Sequence, residues 1–160
     1  MGMQEKTKDR QSNYDDMIAE ADTGGRTPSD AFGQKALWYI PLVWAIYQLW
    51  ISSPLPFILG IGVWNDTQTR AIHLGFAVLL AFIAFPAGQS SPRDRIPHLT
   101  WAIAILGAIA ASYLWWDYRG VADRTGNPSL TDVTIAGIGI VLLLEAARRS
   151  LGMPLMAVAL

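Results

Sequence analysis

The chain has 160 residues, 52% of them apolar and 16% charged, with mean hydropathy +0.28 and a formal net charge of −1. Soluble domains carry about 25% charged residues, and the shortfall here is concentrated: 30 residues between Lys35 and Asp66, 22 between Arg70 and Arg93 and 21 between Arg95 and Asp117 contain no acid, Lys or Arg. About 20 apolar residues wound as a helix cross a bilayer, so the composition points to a membrane protein. Near-zero charge without a Lys/Arg run argues against nucleic acid as a partner, and the absence of cysteine excludes disulfide, cysteine–zinc and iron–sulfur frameworks.

Residues 1–35 hold most of the acids and lysines, a Gly-Gly pair and few aliphatics. Such a segment buries too little to order itself and reads as a mobile cytoplasmic tail, with a docking segment as the alternative. Its polarity, and the length of the first apolar stretch, argue against a cleavable signal peptide. The region 36–150 is expected to hold four transmembrane helices. The first covers about 36–53 and ends where Pro54 and Pro56 remove backbone donors. Trp38, Tyr39 and Trp50 lie near its two ends, at the level amphipathic rings favour. Residues 55–64 are apolar but too short to cross, and the polar stretch Asn65-Asp66-Thr67-Gln68 reads as a turn.

The second span is expected over about 71–87, closed by Pro86. The third covers about 98–116 and ends in Tyr113, Trp115 and Trp116. Its Ala104/Ala108 and Gly107/Ala111 pairs have the small-xxx-small spacing that lets helices approach closely. After a loop over 117–128, Ser129 and Asp132 look like a helix start, a hydroxyl N-cap with an acid three residues on. The fourth span covers about 130–147. It reaches the needed length only if Asp132 and Glu145 sit near opposite interfaces. Residues 151–160 begin a further apolar run, as expected of the N-terminal piece of a longer chain. The fold class is therefore an all-α membrane protein, four transmembrane helices plus the start of a fifth apolar segment.

Positive residues near span ends set orientation. With four spans and the tail inside, Arg26, Lys35, Arg93, Arg95, Arg148 and Arg149 face the cytoplasm, and Arg70, Arg119 and Arg124 face the other side. Six against three puts both ends of the chain in the cytoplasm.

Two histidines among four helices suggest a bis-histidine haem. His73 lies at the outer start of the second span and His98 at the inner start of the third, most of the roughly 30 Å hydrocarbon thickness apart, so they cannot share an iron. The plainer reading is a local hydrogen bond for each. Glu145-Ala-Ala-Arg148-Arg149 is the most informative polar cluster. The acid reaches Arg148 at i+3 and Arg149 at i+4 in the favoured order, either as an interfacial anchor or as a latch to a neighbouring helix. Asp66, Asp117, Asp123 and Asp132 fall on the outer side without a base or nucleophile on a shared face. Ser52 and Ser53 have no histidine partner. No span shows an ionisable group at mid-depth, where transporter sites are marked. The chain is not read as an enzyme, and no catalytic, metal or cofactor residue is assigned.

Several stretches together, Asp22-Thr-Gly-Gly-Arg26, Arg70-Ala-Ile-His73-Leu-Gly-Phe76, Ala81-Phe-Ile-Ala-Phe-Pro86 and Leu144-Glu-Ala-Ala-Arg148-Arg149 with Gly152 and Pro154, give the chain a family resemblance. Over about 22–160 it resembles the N-terminal region of tripartite ATP-independent periplasmic (TRAP) transporter permeases, of the fused TAXI type. The resemblance implies a multi-pass protein of the bacterial inner membrane. Its four-helix part is similar to the small membrane subunit and braces a large transport domain supplied by the continuation of the chain. A periplasmic solute-binding protein delivers an organic acid or similar solute, and symport with an ion, usually sodium, drives uptake. On the same basis Arg70, His73, Glu145, Arg148 and Arg149 are assigned scaffold and interface roles; ion and solute ligands have no counterpart in these residues. The alternative is a self-contained four-helix sensor or accessory protein without transport activity.

Overall fold

A computed structural model describes residues 24–88 and 90–151. Most of the expected tail, up to residue 23, and the expected further apolar segment from residue 152 lie outside the described residues. Those described form helices and connecting loops, with no strand among them. We number the helices α1 (Ala31–Ser52), α2 (Leu55–Leu59), α3 (Asp66–Ala84), α4 (His98–Ala111), α5 (Tyr113–Trp116), α6 (Tyr118–Asp123) and α7 (Leu130–Leu151).

Capping chemistry moves several boundaries away from the hydropathy pattern. The first helix begins at Ala31 rather than 36, because Asp30 is extended and its carboxylate accepts from the Gly33 N–H at 2.7 Å. An N-cap of this kind satisfies one of the four donors that a helix start leaves open. Pro41 lies inside α1; having no N–H, it cannot donate to the Leu37 carbonyl. Residues 24–30, expected in the mobile tail, instead lie against the bundle. The N–H groups of Arg26, Thr27 and Ser29 donate to the carbonyls of Ala84, Arg93 and Asp94 at 2.7, 3.1 and 2.7 Å.

Residues 65–68, expected as a turn, are the N-cap and first turn of α3. Asn65 accepts from the Gln68 N–H at 2.9 Å, and the Gln68 side chain accepts from the Asn65 N–H at 3.3 Å. This reciprocal capping box starts α3 five residues ahead of the expected 71. The helix expected over 98–116 is interrupted. At Ser112 (φ −86°, ψ 6°) the α-helix gives way to a tighter turn in which the Trp115 N–H donates to the Ser112 carbonyl at 2.9 Å. The fourth helix starts where expected, with Ser129 Oγ accepting from the Asp132 N–H and the Asp132 carboxylate accepting from the Ser129 N–H.

The long helices alternate in direction around α3. Tyr47 and Trp44 of α1 meet Thr69 and His73, Gly75 meets Ala108 and Ser112, and Phe82 lies beside Gly107 and Arg149. Ala71, Gly75, Val78 and Phe82 recur at helical spacing on one face of α3, and all are buried. Against them lie Thr100, Ala104 and Gly107 of α4, also buried. A Cβ on Gly107 would stand 2.8 Å from Val78 Cγ1, so the two helices approach as closely as glycine permits. The small-residue spacing of the third span thus serves a helix crossing. Val78, Phe82, Ile83, Ile96, Ala104 and Ala146 form the core.

Among the described residues two helices, α3 and α7, are long and apolar enough to cross a membrane, whereas α4 is apolar but shorter. A soluble core helix with this composition would be largely buried. Here only 28% of the apolar stretch of α3 and 11% of that of α7 is buried. Leu42, Ile46 and Leu49 of α1 and Val133, Ile140 and Val141 of α7 lie exposed on the outside. That much apolar surface is unusual for a soluble monomer and is what lipid would cover.

Candidate functional site

Charged side chains collect at the two ends of the bundle. At the end holding the α3 N-terminus, Arg124 bridges two carboxylates that lie far apart in sequence. Its Nε and Nη2 donate to the two oxygens of Asp132 at 3.1 and 2.9 Å, and Nη2 also donates to Asp117 at 2.6 Å. The Tyr113 hydroxyl donates to Asp132 Oδ1 at 2.5 Å. The Arg124 guanidinium is held well above its ordinary pKa by the bond to Asp132 first and to Asp117 second. Asp132 is 8% exposed and caps α7 at the same time. One carboxylate therefore joins α5, the end of α6 and the start of α7, and its charge is neutralised by bidentate pairing. The sequence marked Asp132 only as a helix start; its convergence with Asp117 and Arg124 depends on how loop 117–128 folds back.

Arg70 sits on the same end but does little. It pairs with Asp66 one turn away at 3.0 Å, with both side chains at least three-quarters exposed, and such pairs contribute about 0–1 kcal/mol. His73 has an interhelical role. Trp44 Nε1 of α1 donates to its Nδ1 at 3.3 Å, Gln48 Nε2 also contacts Nδ1, and the Trp44 and His73 rings meet edge-on at 4.9 Å. His98 opens α4 at the opposite end, beside Asp30, Phe32 and Arg95. The antiparallel packing of α3 and α4 keeps the two histidines at different ends of the bundle.

The other end carries Glu145, Arg148 and Arg149. Arg148 Nε and Nη2 donate to the two Glu145 oxygens at 2.7 and 2.8 Å, and Arg149 Nε donates to Oε1 at 2.8 Å. Both i+3 and i+4 pairings are made at once. Beyond its own helix, Arg148 Nη2 donates to the Ala87 carbonyl at 2.7 Å, and Arg149, 7% exposed, stacks at 4.6 Å over the Phe82 ring. A cation over an aromatic face contributes about 0.5–2 kcal/mol. The cluster ties the end of α7 to the end of α3, the latch geometry within one chain.

Arg26, which the sequence marked only by orientation and as part of a motif, completes this end. Its residue is 5% exposed, and its guanidinium lies near Arg149. Burial first, and that like charge second, hold its pKa below the ordinary value. No three His, Asp or Glu side chains among the described residues gather as metal ligands. Comparisons with family models, with curated proteins and with solved structures find no match.

Proposed function

We propose that the chain is the small-subunit-like scaffold of a TRAP-type secondary transporter. In this reading it forms four membrane spans in the inner membrane, with both ends cytoplasmic. It braces a transport domain that takes up an organic acid or similar solute from a periplasmic binding protein, with an ion gradient as the driving force.

One observation carries the scaffold part of this reading. Three of the five residues that the resemblance assigns to scaffold roles, His73, Arg148 and Arg149, occupy joints between helices rather than a cavity, whereas Arg70 pairs only within its own helix. His73 joins α1 to α3, and Arg148 and Arg149 join α7 to α3. A transport site needs ionisable or unwound segments near mid-depth, whereas here the charged side chains lie at the two ends and the crossing of α3 with α4 is built from small residues. Two helices are long and apolar enough to cross a membrane among the described residues, and the reading assigns α1 and α4 as the other two spans. At 1.5 Å per residue, α3 and α7 measure roughly 28 and 33 Å and α1 is as long as α7, while α4 reaches a comparable length only with the α5 turn added. Exposed apolar residues on α1 and α7 supply the lipid-facing surface.

The test is uptake by whole cells and proteoliposomes carrying the gene read through codon 160, with the solute-binding protein encoded beside it. Ion-dependent uptake that disappears when residues 24–151 are deleted supports the proposal. A stop at codon 160, with a stable protein and no effect on uptake, leaves the self-contained sensor or accessory protein instead.

A further inference from the structure

Arg26 poses a chemical problem that its surroundings do not solve. Its main chain is pinned by the Ala84 carbonyl at 2.7 Å, which places the side chain inside the bundle end. Both Nε and Nη1 are buried and find no hydrogen-bond acceptor among the described residues. A guanidinium does not shed its proton in a protein, so the charge stays. An unsatisfied buried donor costs about 1–3 kcal/mol, more when charged. Among the described residues the carboxylate of this cluster is Glu145, which already accepts two bonds from Arg148 and one from Arg149, and Arg149 itself raises the local positive potential.

The whole end has the same bias. Among the described residues it holds Arg26, Lys35, Arg93, Arg95, Arg148 and Arg149 against Asp30, Asp94 and Glu145, three positive charges in excess. The opposite end holds Arg70, Arg119 and Arg124 against Asp66, Asp117, Asp123 and Asp132, one negative in excess. A group that completes the site must bring negative charge and acceptor oxygens. Phosphate does both, since its oxygens match the fork of a guanidinium. Basic pockets between helices at the cytoplasmic boundary are where anionic headgroups are held.

We propose that Arg26, with Arg149 alongside, forms an anion site that binds a phosphate group, from a phospholipid headgroup or from free phosphate. The site itself rests on the orphaned guanidinium; only the lipid source rests on the membrane reading above. Occupancy joins segment 24–30 to the end of α7 through a shared anion, so it stiffens the end where the tail meets the bundle.

The experiment uses the full-length chain, delipidated in a non-ionic detergent. Thermal unfolding and native mass spectrometry follow three additions: phosphatidylglycerol, phosphatidylcholine and inorganic phosphate. The wild type is expected to gain thermal stability and to retain phosphatidylglycerol about tenfold more than Arg26→Gln. Arg26→Lys, which keeps the charge and loses the fork, is expected to fall between them. Stabilisation by inorganic phosphate equal to that by lipid, and lost in Arg26→Gln, supports the site with the free anion as its ligand. Preference for phosphatidylglycerol over phosphatidylcholine and phosphate, lost in the same variant, supports it with the headgroup. Retention and stabilisation identical in wild type, Arg26→Gln and Arg26→Lys overturn the proposal. So does a wild type that responds to none of the three, which needs no variant to fold.

Discussion

Replacing Gly107 with alanine adds one methyl group where α4 lies close against α3. The new Cβ stands 2.8 Å from Val78 Cγ1, 3.5 Å from Phe82 Cε2 and 3.6 Å from Leu142 Cβ. Two effects compete. A helix interior favours Ala over Gly by about 1 kcal/mol. Overpacking a dense core costs about 1–3 kcal/mol, and the upper half of that range applies here. Val78 is 2% exposed, and a β-branched side chain in a helix has one strongly preferred rotamer, so relief requires the helices to separate. The net is a destabilisation of about 1–2 kcal/mol, roughly 5- to 30-fold in the folding equilibrium. Gly137 on α7 is the control, because a Cβ there meets nothing within 4 Å. Gly137→Ala has the propensity gain without the clash and is expected to stabilise by up to about 1 kcal/mol. Unfolding of the full chain by sodium dodecyl sulfate in mixed micelles, followed by far-ultraviolet circular dichroism, measures both. If Gly107→Ala stabilises as much as Gly137→Ala, the close approach of α3 and α4 is refuted, and with it the account of why the third span is rich in small residues.

Other predictions follow from the bundle ends. Glu145→Ala leaves Arg148 with the Ala87 carbonyl and removes the bond that Arg149 Nε donates to Glu145. With the acid about 30% exposed, the loss is discounted to about 1–2 kcal/mol, with membrane insertion unchanged and Glu145→Gln milder; equal stability of the three chains would remove the latch. Asp132→Ala is expected to lower thermal stability clearly more than Asp66→Ala, since Asp132 is buried under four bonds and Asp66 serves one exposed pair; a double-mutant cycle with Arg124→Ala should show coupling, and additive effects would contradict the network. The chain has no cysteine, so single cysteines at positions 93 and 119 can be labelled cleanly in whole cells. They are expected to react from opposite faces of the membrane, and labelling of both from one face would end the four-span topology.

Part of this was legible in the chain itself. Apolar stretches bounded by prolines located the helices, since Pro54, Pro56 and Pro86 act through their own missing donors wherever they sit. Glu145, Arg148 and Arg149 could be paired on paper because i+3 and i+4 neighbours on a helix meet whatever the fold. Ser129 with Asp132 marked a helix start for the same local reason. Asp30 and Asn65 carried equally local signals. Hydropathy alone passed over them, because a cap acts through hydrogen-bond geometry and not through apolar character.

The rest required the chain to come back on itself. Asp117, Arg124 and Asp132 form one unit only because loop 117–128 returns to the start of α7, and no spacing along the sequence encodes that return. Arg26 reads as a tail residue until its neighbours appear, 58 residues away at Ala84 and 123 away at Arg149. Alone, the sequence determined what depends on near neighbours: helix positions, the pairing of Glu145 and the excess of positive charge at one set of helix ends. Only the tertiary structure decided which charges are satisfied and which is left buried without an acceptor, because desolvation depends on what packs around a group and not on what precedes it in the chain.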